Sequence, residues 1–147
     1  MPDRLIIAEM VCGSVVWMLL VSPGALKAPL LAWALAVSTS CSLLSTLWLL
    51  LFCCGCNTSR LWLIADAVYH VLAALAYLSA GVCLAIITNA LAAHKHIKWA
   101  GHRHGVVAML YHYFLAATVL AFLTTLLYII HALYSVKRSQ RAPYTAI

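Results

Sequence analysis

LWLIADAVYHVLAALAYLSAGVCLAIITNAL, residues 61–91, decides the fold. The run holds no lysine, arginine or glutamate and a single aspartate, and it exceeds the ~20 apolar residues that a helix needs to cross a bilayer. Arg60 precedes it and His94-Lys95-His96 follow it. Three further stretches share its character: residues 5–21, ending at Ser22-Pro23-Gly24; residues 29–52, stopping at Cys53-Cys54-Gly55-Cys56-Asn57; and residues 105–136, between Arg103 and Lys137-Arg138. The third and fourth stretches are longer than the minimum, so tilt or extension past the headgroups is expected. No stretch alternates with period two, which excludes a barrel. The expected architecture is all-α, a four-transmembrane-helix bundle with short loops. Residues 1–138 would form one membrane domain and residues 139–147 a short tail.

Composition agrees. Hydrophobic residues make up 66% of the 147-residue chain and charged residues only 8%, against roughly 25% charged in soluble domains. A water-soluble fold of this size could not hide that much apolar surface. The first stretch is expected to be a retained span and not a cleaved leader, because Glu9 interrupts it and no clear small-x-small site follows. Four spans place both termini on one side with the loop around Cys53 to Arg60. That side carries Arg4, Arg60, Lys137, Arg138 and Arg141, and the other carries Lys27, Lys95, Lys98 and Arg103. The difference is small, but the basic tail tips the balance toward cytosolic termini.

Cys12, Cys41 and Cys83 lie within spans, where a thiol behaves as a small buried hydrophobe. Cys53, Cys54 and Cys56 cluster where the second span ends, a position suited to S-palmitoylation or else occupied by three unmodified thiols. These cysteines cannot share a metal ion with His94, His96, His102 and His104, because the third span separates the two groups. The loop histidines read as a solvated basic loop, and no metal and no cofactor is expected. Asn57-Thr58-Ser59 has the form of a glycosylation sequon but would face the cytosol.

The ionisable residues inside the spans carry the most information, since each is costly there and needs a partner. They are Glu9, Asp66, His70 and His131. At 1.5 Å per residue, Glu9 lies ~7 Å in from Arg4, Asp66 ~9 Å from Arg60 and His131 ~9 Å from Lys137. His70 follows Asp66 by one turn on the same helix face. Three spans thus bring polar groups to similar depth, with Tyr69 and Tyr128 as candidate hydroxyl partners. Such a cluster either locks the helices in register or handles protons or ions.

Asp66-Ala67-Val68-Tyr69-His70, then Ala73-Ala74 and Tyr77-Leu78-Ser79-Ala80, resembles the third span of the myelin and lymphocyte protein and plasmolipin group of the MARVEL-domain family. Thr125-Leu126-Leu127-Tyr128-Ile129-Ile130-His131-Ala132 is similar to that group's fourth span. Pro2-Asp3, Glu9, Gly13 and Val16-Trp17 are similar to its first, and Trp33 carries the second. The resemblance implies a four-helix proteolipid with cytosolic termini, associated with cholesterol- and sphingolipid-rich membrane at the plasma membrane and on vesicles. It implies roles in raft organisation and in apical or myelin traffic, and organisers that are not enzymes. The sequence departs from the pattern in a very short stretch before the first span, a basic, histidine-rich loop from His94 to His104, and a tail running to Ile147.

Two function classes follow. One is a non-enzymatic membrane organiser that meets lipids, other membrane proteins and copies of itself. The other is a small proton- or ion-linked transporter, or a subunit of one, using the four ionisable groups. The prolines lie at ends or in loops, unlike the broken spans of many transporters, which favours the organiser. No catalytic triad spacing, phosphate loop or nucleic-acid surface is present. Recurrent Ala, Ser, Gly and Thr suit close helix packing, and Trp17, Trp33, Trp62, Trp99, Tyr111 and Tyr113 are candidates for interfacial belts. In the tail, Tyr144 through Ile147 has the form of a tyrosine sorting signal, and Thr145-Ala146-Ile147 that of a PDZ ligand, with an inert tail as the alternative.

Overall fold

In a computed structural model of the chain, residues 2–21, 29–55, 60–96 and 103–141 are described. They form four helices: α1 (Pro2–Val21), α2 (Pro29–Cys53), α3 (Arg60–His96) and α4 (Arg103–Arg141). Each is long and apolar enough to cross a membrane. A helix closes all its main-chain hydrogen bonds within itself, which hydrocarbon demands of any spanning segment. Pro2 and Pro29 open their helices at the first helical position, where a missing N–H costs nothing. Beyond the end of α2, Cys54 N–H donates to Leu50 O and Gly55 N–H to Phe52 O, and Gly55 sits at φ 74°, a left-handed turn natural to glycine.

α3 and α4 run past the apolar stretches at residues 61–91 and 105–136. α4 continues through Arg141, into the stretch expected to be tail. The physical reason is that helical hydrogen bonding does not stop at the hydrocarbon edge, and no glycine or proline interrupts residues 137–141.

The helices form a closed ring in chain order. α3 packs most extensively on α4, while α1 lies against α2 and α4, and α2 against α3. Among the described residues, the diagonal pairs meet only through side chains that reach the bundle axis. The inward face of α1 is Ile6, Glu9, Gly13, Val16 and Leu20. Its alternating steps of three and four are the spacing of a helix-packing seam. On α4 the same rule selects Ala117, Ala121, Thr124, Tyr128, His131 and Ser135.

The resulting distribution inverts that of a soluble bundle. The buried faces gather the small and polar residues around a few large apolar ones, with Ser38, Ser45, Thr124 and Ser135 as enclosed as Leu20 and Leu84. The outer faces carry large aliphatics such as Leu61 (79% exposed), Leu43 (72%) and Leu133 (66%). Enclosed hydroxyls are satisfied largely within their own helices: Thr88 donates to Leu84 O at 2.8 Å, Thr118 to Phe114 O at 2.7 Å and Thr124 to Leu120 O at 2.8 Å. Thr88 and Thr118 join α3 to α4 at 3.1 Å.

Candidate functional site

The seam periodicity fixes which polar side chains meet. Glu9 enters from α1, Asp66 and His70 from one face of α3, and His131 from α4. All four are at most 1% exposed. Glu9 Oε1 lies 3.0 Å from His131 Nδ1, and Glu9 Oε2 lies 3.3 Å from His70 Nε2. His70 Nδ1 lies 2.7 Å from the main-chain oxygen of Asp66 and 3.3 Å from Asp66 Oδ1. The two imidazole rings are tilted over each other with centroids 3.7 Å apart. Glu9 is the hub, since it touches His131 on the neighbouring α4 and reaches His70 on α3, which lies diagonally across the ring.

Asp66 is held from two further sides. Trp48 Nε1–H donates to Oδ1 at 2.6 Å, and the Ser135 hydroxyl donates to Oδ2. Trp48 is itself stacked, with its ring 4.8 Å from Trp62 and 5.0 Å from Tyr69. A planar indole wedged between two rings has little rotamer freedom, so its N–H is aimed in advance. Tyr69 and Tyr128 do not bond the acids. Both hydroxyls meet Ser45 Oγ, at 2.9 Å and 2.8 Å, and Tyr69 also donates to Cys41 O at 3.2 Å. They form a second polar layer against the histidine rings, and Tyr77 stacks on Tyr128 at 5.6 Å beyond it.

Three buried atoms of the cluster lack a hydrogen-bond partner: Glu9 Oε2, His70 Nε2 and His131 Nε2. The contact of Glu9 Oε2 with His70 Nε2 is close enough for electrostatic attraction but is not a formed hydrogen bond.

Reading the sequence for ionisable groups missed Trp48, Ser45 and Ser135. Ser135 was accessible to the seam rule, seven residues after Tyr128 and four after His131. Trp48 carried no distinguishing signal, because tryptophan near a span end reads as an interfacial anchor. Two residues read as anchors also make specific contacts: Trp62 stacks on Trp48, and Trp33 Nε1–H donates to Ser79 Oγ at 3.1 Å. Cys53 and Cys54 are exposed at the end of α2. Cys56, the sequon and the tail residues Tyr144, Thr145 and Ile147 lie outside the described residues.

No family model and no solved structure matches the chain. Among curated proteins it is 35% identical over 139 residues to the myelin and lymphocyte protein of Canis lupus familiaris, covering 93% of this chain and 83% of that protein. It is 34% identical over 140 residues to the Homo sapiens protein of the same name, covering 94% and 84%, and 33% identical over 139 residues to that of Bos taurus, covering 93% and 83%. The chain belongs to the myelin and lymphocyte protein family. With its four apolar helices it is a multi-pass membrane proteolipid of that family.

Proposed function

We propose that this member of the myelin and lymphocyte protein family is a non-enzymatic membrane organiser. On this reading it gathers cholesterol- and sphingolipid-rich membrane and other membrane proteins, itself included, into domains and vesicles for apical or myelin delivery. The observation that carries the reading is the inverted bundle. Its ionisable groups within the spans are turned inward, and its outer surface is mostly aliphatic. A protein built this way offers its outer face, and not a cleft, as the working surface.

A groove of about 230 Å³ on that face supports the reading. It runs between α3 and α4 and is lined by Val71, Leu75, Leu78, Ile129 and Leu133. The Thr125 hydroxyl beside it donates back to Ala121 O at 2.9 Å, so it leaves the groove apolar. A lipid tail or the flat face of a sterol suits such a surface. The termini are assigned to the cytosol, where Tyr144, Thr145 and Ile147 would meet a sorting adaptor or a PDZ scaffold. Acylation of Cys53, Cys54 and Cys56 would add membrane affinity of ~0.8 kcal/mol per buried methylene.

The four enclosed ionisable groups favour a second reading, a proton- or ion-linked transporter or a subunit of one. Against it, the core on the far side of the cluster is filled by Leu20, Leu31, Tyr77, Leu84 and Phe114, all at most 3% exposed. A conduit would have to open through them.

The test is phase partitioning. The protein, expressed in animal cells and labelled, should concentrate in the ordered phase of giant vesicles made of sphingomyelin, cholesterol and an unsaturated phosphatidylcholine. The combined Cys53→Ser, Cys54→Ser and Cys56→Ser variant should lose hydroxylamine-labile palmitate and partition less strongly. Residence of the acylated wild type in the disordered phase alone would overturn the reading.

A further inference from the structure

We propose that Glu9, His70 and His131 form a binding site for a divalent transition-metal ion, best matched by Zn2+, at the centre of the bundle. One ligand atom from each residue lies within 4.8 Å of the others, and the three come from three different helices. The inference is independent of the sorting role.

The hydrogen-bond pattern fixes which atoms would bind. A main-chain carbonyl can only accept, so His70 Nδ1, 2.7 Å from Asp66 O, carries a proton. In a neutral imidazole that leaves a lone pair on Nε2. His131 turns Nδ1 toward Glu9, 3.0 Å from a carboxylate oxygen, while its Nε2 faces Asp66 Oδ2 at 4.0 Å and carries the proton when Nδ1 binds an ion. Glu9 Oε2 and His70 Nε2 are buried without hydrogen-bond partners, 3.3 Å apart. A cation between Glu9 and the two rings answers both, with His131 Nδ1 as the third ligand atom.

Distances and charge agree. Zn–N and Zn–O bonds of about 2.0–2.1 Å set tetrahedral ligand atoms about 3.3 Å apart. The Glu9 Oε2 to His70 Nε2 edge is already 3.3 Å and the Glu9 Oε1 to His131 Nδ1 edge 3.0 Å. Asp66 stands behind the site, with Oδ1 3.3 Å from His70 Nδ1 and Oδ2 4.0 Å from His131 Nε2. A histidine ligand whose second nitrogen is tied to a carbonyl or carboxylate is the usual arrangement around bound zinc. Two carboxylates in a membrane interior need two positive charges nearby. Protonating both imidazoles supplies them, but the rings lie 3.7 Å apart and would repel as cations. One divalent ion supplies the same charge with both rings neutral. Two imidazole nitrogens with one carboxylate select zinc-like ions over magnesium or calcium, which prefer oxygen.

The full chain, purified in detergent and stripped with a chelator, is the material for the test. The background carries His94→Gln, His96→Gln, His102→Gln and His104→Gln, so that loop histidines contribute nothing. Dialysed against Zn2+ and passed through a desalting column, it should retain one ion per chain, and with Co2+ it should show the visible absorption of a tetrahedral site. Glu9→Gln, His70→Gln and His131→Gln should each abolish retention. X-ray absorption of the zinc-loaded loop-substituted chain should show imidazole nitrogen and oxygen with no sulfur, a reading that stands even where a site variant fails to fold. No retained zinc overturns the proposal. So does zinc that survives Glu9→Gln, or a sulfur shell, which would place the ion on the cysteines.

Discussion

Asp66→Leu is expected to destabilise the chelator-treated protein by roughly 3–5 kcal/mol, the range for breaking a buried charged network by removing one partner. The loss is large because three donors converge on this carboxylate. Trp48 N–H and the Ser135 hydroxyl would be left buried without an acceptor, and the His70 ring would lose the acid that stands 3.3 Å from Nδ1. Hydrogen bonds between membrane helices average well under 1 kcal/mol singly, so an effect of this size requires them to act together with the charge. Asp66→Leu combined with His70→Leu should therefore cost clearly less than the two single changes added. The double variant removes one acid and one base, and it leaves Glu9 paired with His131 at 3.0 Å. Unfolding in mixed micelles by rising SDS, followed by helical circular dichroism, measures all four proteins. Strict additivity would show that the cluster is not one energetic unit.

How far the sequence reveals this arrangement depends on the kind of signal. The apolar stretches place the four helices, because lipid imposes a length and a composition that are readable without knowing the neighbours. Asp66 and His70 were legible as a pair through i, i+4 spacing, and counting from the basic ends set Glu9 and His131 at similar depth. The hub role of Glu9 was not legible. It depends on α1 standing diagonal to α3 while a long side chain crosses the axis, a fact of helix order around the ring. Tyr69 and Tyr128 were readable as residues beside the cluster, but not their choice of Ser45 over the acids. In a span that is apolar on every side, hydropathy cannot say which face turns inward. The inward face mixes small and polar residues with large apolar ones such as Ile6 and Leu20, and the steps of three and four that link them mark it.

Gly13 is the second position where a large effect is expected. A Cβ at this site would lie 2.7 Å from Tyr77 Oη and 2.8 Å from Ser42 Oγ. The serine hydroxyl can change rotamer, but the tyrosine cannot retreat, being fully buried and stacked on Tyr128 at 5.6 Å. α1 must instead move outward, which loosens Val16 and Leu20 from the core they share with α2, α3 and α4. Overpacking of this kind costs about 1–3 kcal/mol for one added carbon. Alanine would gain up to about 1 kcal/mol over glycine in helix propensity, too little to reverse the sign. Gly13→Ala should therefore lower the SDS midpoint, and Gly13→Leu should prevent the bundle from closing. Tyr77→Phe supplies the control. Its hydroxyl makes a long 3.5 Å contact with Ser38 O beside the Ser42 side chain, so removing it alone should cost little. In the Gly13→Ala background the same change removes the 2.7 Å clash and should restore most of the lost stability. If Tyr77→Phe gives no rescue, the close approach of α1 to Tyr77 is not what requires glycine at residue 13.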